Sequence, residues 1–333
     1  MVFFVGVIVF LYLLSWGRRG CELAPMTREK SFALRGVLAI LIVLHHLSLA
    51  GVSGLDIFRS WGAPVVSLFF FLSGYGLFKS YQQKGERYLS GFLRHRMLEA
   101  VGCPFLLSWG LYRLVNWGHV PGLWEEWQGL FWEGRVVLPN SWFVLAILVF
   151  YVFFYLTYRY VASRFRLWAL LFLCMGYVGW CLCMGYDRCW YISALAFPTG
   201  AWMARYESRL HALWTAKGMY YGTVPLCLML MALCVYTHNE GAYVLVYLLI
   251  PLAFLCLFSR VQVERLGTNW GMSWLSRHAY EIYLTQGLLI ELLRREYVYI
   301  SSDLVYVVLC LAGTMGVAAV VRWLSRKIVG LGL

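Results

Sequence analysis

Charge is scarce in this 333-residue chain: Asp, Glu, Lys and Arg make up 13% of it, against 62% hydrophobic residues. A soluble domain of this length needs far more polar surface, so a soluble globular protein is excluded and a polytopic membrane protein is indicated. Acidic residues are the scarcer sign, 16 against 28 Lys and Arg, which gives a formal net charge of +12. The basic residues are dispersed over short connections between apolar runs, and no compact basic domain exists to hold a duplex, so nucleic-acid binding is excluded. The chain has no soluble appendage, internal repeat or low-complexity tract. Its ten cysteines sit mostly within apolar runs and form neither a CxxC pair nor a Cys/His spacing of the zinc type. Cys174, Cys181 and Cys183 read as small apolar residues of one helix, and no metal is expected.

What is abundant is apolar runs of membrane length. They recur at 1–16, 33–50, 62–78, 97–115, 141–158, 167–184, 190–204, 218–236, 242–258, 278–293 and 304–321, near the length that crosses ~30 Å of hydrocarbon. The expected fold class is therefore all-α, a transmembrane bundle of about 11 spans. If the connections alternate sides, those at 17–35, 79–96, 159–166, 205–217, 259–277 and 322–333 carry 22 of the 28 Lys and Arg. Only Arg59, Arg113, Arg135, Arg188, Arg294 and Arg295 fall on the other side. The positive-inside rule then puts the first set in the cytoplasm, with the N-terminus outside and the C-terminus inside. Residues 1–16 lack a basic n-region and a small-x-small cleavage site, and Arg18 and Arg19 follow them. A retained helix is favoured there over a cleaved signal peptide. The longest connection, about Asn116 to Asn140, is rich in Trp, Glu and Gly and suits an interfacial loop or a lid over an outward-facing cleft.

One run holds ionisable groups. In RGVLAILIVLHHL, Arg35 opens the segment, and His45 and His46 lie deep within it. Ionisable side chains inside a membrane helix are costly and mark function by default. Arg35 and His46 are eleven positions apart, three turns plus about 20°, so they share one face roughly 16 Å apart, whereas His45 points about 80° away. A cation near one surface with a general base in line beneath it can hold an anionic cofactor while its far end reacts near mid-bilayer. The plainer reading is a histidine that hydrogen-bonds across the bundle; His45 fits that reading better than His46. Glu281, within the run at 278–293, either pairs with a cation near the cytoplasmic interface or assists a catalytic one.

The residues also carry a family resemblance. FALRGVLAILIVLHHLS resembles the first core helix of integral-membrane acyltransferase family 3, in which an Arg and a His are separated by ten residues; here they are Arg35 and His46. SLFFFLSGYGLFKSY is similar to that family's Phe-Phe-x-x-Ser-Gly helix, with Phe69, Phe70, Ser73 and Gly74 at the matching places. FLRHRMLEAVGCPF resembles the basic segment entering the third core helix, NSWFVLAILVFY the Trp-Phe helix, and AYEIYLTQGLL the Ser-Tyr-x-x-Tyr-Leu-x-His helix. The order holds over residues 33–321, so the chain divides into an extra N-terminal helix with its linker (1–32) and an acyltransferase family 3-like domain (33–333). Two departures stand out. Glu99 occupies a place where relatives often have Arg, and Ala279 and Gln286 replace the Ser and His of the last motif. Gln286 donates and accepts hydrogen bonds but takes no proton at neutral pH.

The resemblance implies an O-acyltransferase that moves an acyl group, most often acetyl, from cytoplasmic acyl-CoA to a hydroxyl of an extracytoplasmic glycan or lipid-linked saccharide. It implies a bacterial plasma membrane as the location. In that reading His46 is the general base and Ser73 a donor to the acyl oxygen, while Arg35, Arg94 and Arg96 meet CoA phosphates. Tyr280, Tyr283 and Gln286 line the pocket. The expected partners are acyl-CoA, a glycan or glycolipid acceptor and membrane lipids. Arg94 and Arg96 also read as positive-inside anchors, and Ser73 and Gly74 as small residues for close helix packing. A polysaccharide transporter is the competing class; it predicts inverted repeats and helices broken at matching places, whereas Pro198, Pro225 and Pro251 are scattered.

Overall fold

A computed structural model describes residues 26–215, 217–237, 240–258, 269–295 and 298–330; the expected helix at 1–16 lies outside them. The described residues are helical throughout, with one isolated bridge, Arg294 to Tyr299, and no strand. The helices are α1 (Arg28–Leu49), α2 (Gly62–Lys84), α3 (Glu86–Ser90), a π-helix (Leu93–Gly102) that runs into α4 (Cys103–Val115), α5 (Leu123–Glu133), α6 (Trp142–Tyr160), α7 (Arg166–Cys183), α8 (Ala196–Thr215), α9 (Lys217–Tyr236), α10 (Glu240–Phe258), α11 (Trp270–Leu292) and α12 (Asp303–Gly330). Of the ten apolar runs from residue 33 onward, nine fall on helices, that at 97–115 being shared by the π-helix and α4, and the run at 190–204 is helical mainly from Ala196 on. Five of the helices, α1, α2, α6, α7 and α12, are by themselves long and apolar enough to cross a membrane.

Local chemistry sets the ends. Thr27 caps α1, its hydroxyl accepting the Lys30 amide at 3.1 Å, and Asn269 caps α11 through the Gly271 amide at 2.9 Å. Gly85, at φ 58°, stops α2 in a conformation costly for other residues. Pro104 sits in the first turn of α4, where its missing N–H costs nothing.

Packing follows from small residues. α2 lies against α8, and the contact is reciprocal: a Cβ on Gly74 would overlap the Phe197 carbonyl, and one on Gly200 would overlap the Phe71 carbonyl. In lipid, where apolar burial drives little association, such backbone approach is the main source of helix–helix attraction. Phe70, fully buried, packs edge-on to Phe150 with ring centroids 5.1 Å apart and lies 4.8 Å from Phe143. α1 packs on α11, which in turn packs on α12. Gly36 meets Ser276 and, ten positions further along each helix, His46 meets Gln286, so α1 and α11 run parallel in register. α2 runs antiparallel to α1, with Gly62 beside His45 and Gly76 beside Arg35.

The outer faces are apolar. Only 17% of the most apolar stretch of α7 and 28% of that of α12 is buried, and Phe172, Met175, Leu182, Leu304, Val308 and Trp323 stand exposed. A surface of this kind fits an integral membrane protein. Ion pairs sort the connections into two ends. At the Arg35 end, Arg159 pairs with Glu86 at 3.3 Å and Lys79 with Glu207 at 2.5 Å. At the His46 end, Arg294 pairs with Asp303, and Arg113 with Glu126 at 2.6 Å.

Candidate active site

His46 stands in the last turn of α1. α1 ends at Leu49, as the apolar run at 33–50 does, so the ring lies near the loop end of the bundle. Beside it is a cavity of about 640 Å³, lined by residues of α1, α2, α4 and α11 and by the segments 136–142 and 189–193. His45 and His46 both line it, with ring centroids 5.0 Å apart. Their roles separate. Nδ1 of His45 is 3.1 Å from the Phe58 carbonyl, and the ring fills the space left by the missing side chain of Gly62. Nδ1 of His46 is buried without a hydrogen bond.

α11 supplies the facing wall. The Gln286 side chain approaches the His46 ring as a hydrogen-bond partner, and its amide nitrogen donates to the Tyr283 carbonyl at 3.2 Å. Gln286 Oε1 is left buried and unpaired. Two buried polar atoms without partners, on facing helices beside one cavity, are costly unless something else satisfies them. The Tyr283 hydroxyl donates to the Asn140 carbonyl at 2.7 Å, and its ring packs edge-on to Phe143 with centroids 5.1 Å apart. That bond ties α11 to the roof. Asn140 adopts φ 65°, an unusual conformation that asparagine tolerates better than most residues, and it turns the chain into α6. Pro139 occupies the room left by Gly287. The long connection is thus no plain loop. Its outer part is the amphipathic α5, which exposes Trp124, Trp127 and Trp132 and is held by Trp109 donating to Glu126 at 2.7 Å. Its inner part, 135–141, covers the cavity.

The far end of α1 is built differently. Arg35 is half-buried and has no hydrogen bond or ion pair among the described residues. Arg96 and the Tyr151 phenol are close enough to act on its charge. Nε of Arg96 donates to the Tyr88 hydroxyl at 3.2 Å, and among the described residues no carboxylate pairs with either guanidinium. Tyr280, whose hydroxyl donates to the Val101 carbonyl at 2.9 Å, lies against the same tyrosine. Two adjacent guanidiniums without a counter-ion, framed by phenols, form a ready anion site.

Arg94 is not part of it. On any helix, residues two apart face opposite ways, so with Arg96 turned inward Arg94 points out. There it meets Glu99 at 2.9 Å, and His95 meets the other Glu99 oxygen at 2.7 Å. The wider turn of a π-helix, with its i to i+5 pattern, lets Arg94 reach Glu99 five positions on. His95 and then Arg94 hold this carboxyl below its usual range. Ser73 stands one turn before Gly76 and is therefore level with Arg35, not with His46. It is half-buried and makes no hydrogen bond among the described residues. Glu281 pairs with Arg322 of α12 at 3.0 Å, and its second oxygen is buried and unpaired. The carboxylate thus anchors α11 to α12.

Among the described residues no group of three His, Cys, Asp or Glu side chains is arranged to hold a metal. A sequence-family model described as an acyltransferase domain matches residues 33–323. This chain belongs to acyltransferase family 3. No curated protein and no solved structure matches it significantly. As a family 3 acyltransferase, it is a membrane enzyme that transfers acyl groups, and the match spans both ends of α1 and all the helices that frame them. Sequence reasoning did not single out Tyr151, Asn140 or Glu291 of this acyltransferase. A tyrosine inside a purely apolar run was the available signal for Tyr151. For Glu291 it was a second carboxylate on the helix that carries Glu281.

Proposed function

We propose that this protein is an acyl-CoA-dependent O-acyltransferase whose two substrates approach from opposite ends of α1. The donor enters at the Arg35 end, which the charge distribution of the loops makes cytoplasmic, and its phosphates meet Arg35 and Arg96. The pantetheine arm runs along α1 past Ser73 and Tyr280, and brings the thioester over roughly 16 Å to the level of His46. The acceptor, a hydroxyl of a glycan or lipid-linked saccharide, occupies the 640 Å³ cavity from the extracytoplasmic side. His46 takes the hydroxyl proton as the oxygen attacks the thioester carbon, and CoA thiolate leaves. An acetyl donor is the simplest choice.

The observation that carries this reading is the unpaired His46 Nδ1 at the cavity, on the same helix face as a guanidinium that has no counter-ion. Gln286 Oε1, also unpaired, is a second polar atom beside His46 that would support the ring during proton transfer.

The test is a comparison of wild type with His46→Ala in nanodiscs supplied with acetyl-CoA. Binding by both, with CoA release only by wild type, is the expected result. Equal release by the two would remove His46 from the chemistry. Failure of both to bind acetyl-CoA or any of a panel of acyl-CoAs would favour export of a polysaccharide instead.

A further inference from the structure

The cavity beside His46 has a charge that the reaction itself does not require. Its lining includes one carboxylate, Glu291, and no Lys or Arg. Glu291 is held from one side only: its Oε2 accepts the Tyr112 hydroxyl at 2.8 Å and the Arg295 guanidinium at 3.0 Å. Arg295 also donates to Asn116 Oδ1, and Asn116 Nδ2 donates to the Tyr112 carbonyl at 2.8 Å. Neither Arg295 nor Asn116 lines the cavity. Glu291 Oε1 makes no hydrogen bond among the described residues, and the side chain is 38% exposed. The network fixes the carboxylate and leaves one oxygen open. The lining also includes Trp142, an aromatic residue of the kind that stacks on a sugar.

On the reading of this cavity as the acceptor side, we propose that it is a subsite for a neutral or amino sugar ring and rejects acidic sugars. Glu291 Oε1 accepts one or two ring hydroxyls, which are donors that a fixed carboxylate binds strongly. An ammonium substituent would pair with it. A uronate or other carboxyl-bearing ring would bring a second negative charge within several ångströms of Glu291, nearer to it than to Arg295, which pairs with Oε2 from outside the cavity. Coulomb repulsion at that range and an effective dielectric near 20, partly offset by Arg295, weakens binding on the order of tenfold.

Cys189 gives a readout that does not depend on turnover. It lines the cavity and is half-buried; burial, then Asp187, pushes its thiol up to about 12, so labelling is run in alkaline buffer. Full-length protein in nanodiscs is labelled with a trimethylammonium and with a sulfonate methanethiosulfonate of similar size, and modification of Cys189 is followed by peptide mass spectrometry. The cationic reagent is expected to react about tenfold faster or more, and Glu291→Gln to shrink that ratio. Asp187 biases both proteins alike, so the change in ratio reads Glu291. Methyl glucoside and methyl glucosaminide are expected to protect Cys189 in wild type, and methyl glucuronide to leave it open. Equal reactivity of the two reagents, equal protection by the glucuronide, or no protection by any glycoside would overturn the proposal. These measurements need only the wild type if Glu291→Gln fails to fold. If the charge pattern holds but acetyl-CoA does not bind, the donor assignment fails while the sugar subsite stands.

Discussion

Replacing Arg35 by Gln separates a binding role from a structural one, because the two predict opposite signs. The guanidinium is half-buried, has no carboxylate partner among the described residues and feels the like charge of Arg96. Two cations close enough to act on each other repel by on the order of 1–2 kcal/mol at an effective dielectric near 20. Removing one therefore relieves repulsion in the empty protein. With the donor bound, the same residue makes charge-assisted bonds to phosphate, worth about 1.5–3 kcal/mol. Arg35→Gln is thus expected to weaken acetyl-CoA binding by about tenfold to a hundredfold while holding or raising the unfolding temperature of the donor-free protein. Titration calorimetry in nanodiscs gives the first quantity, and thermal unfolding of the same preparation without donor gives the second. Unchanged donor affinity would refute the donor-phosphate assignment. A marked loss of stability would show that Arg35 is held by a partner outside the described residues.

Three further substitutions test how the site is supported. Gly74→Ala drives a methyl into the Phe197 carbonyl, so it should lower stability by about 1–3 kcal/mol, seen as a lower midpoint in thermal unfolding; an unchanged midpoint would mean that α2 and α8 separate easily. Glu281→Gln leaves the partly exposed Arg322 without its counter-ion and should cost about 1–3 kcal/mol, whereas Glu281→Gln with Arg322→Met should recover much of that loss; additive losses in a double-mutant cycle would argue against the pair. Ser73→Ala, level with Arg35 and three turns from His46, should alter the KM for acyl-CoA and leave kcat at saturating donor. A fall in kcat alone would put Ser73 at the reacting atoms after all.

The membrane class, the helices and their alternation were legible in the sequence, since length and apolar content decide them before any tertiary contact forms. The shared face of Arg35 and His46 was equally legible, because it depends only on helical pitch. So was the split between Arg94 and Arg96, had the same rule been applied two residues apart. The end of α1 was legible too: the apolar run closes at residue 50 and the helix at Leu49, which leaves His46 in the last turn. The span count was less legible. Among the described residues five helices are long and apolar enough to be recognised as spanning on their own, and α10 adds a shorter apolar stretch, Gly241–Phe254.

The sequence by itself determined an all-α membrane protein with a cation and a histidine in line on one helix, because periodicity and composition act within single segments, and its motifs carried the resemblance to acyltransferase family 3. Only the tertiary structure decided which groups meet. It set Gln286 opposite His46 through the parallel register of α1 and α11, and it turned Arg96 toward Arg35. It gave Glu281 to Arg322 and brought Glu291 to the cavity. Those pairings join residues up to 240 positions apart, as His46 and Gln286 are, and they are fixed by glycine contacts and buried polar bonds between helices whose individual sequences record no partner.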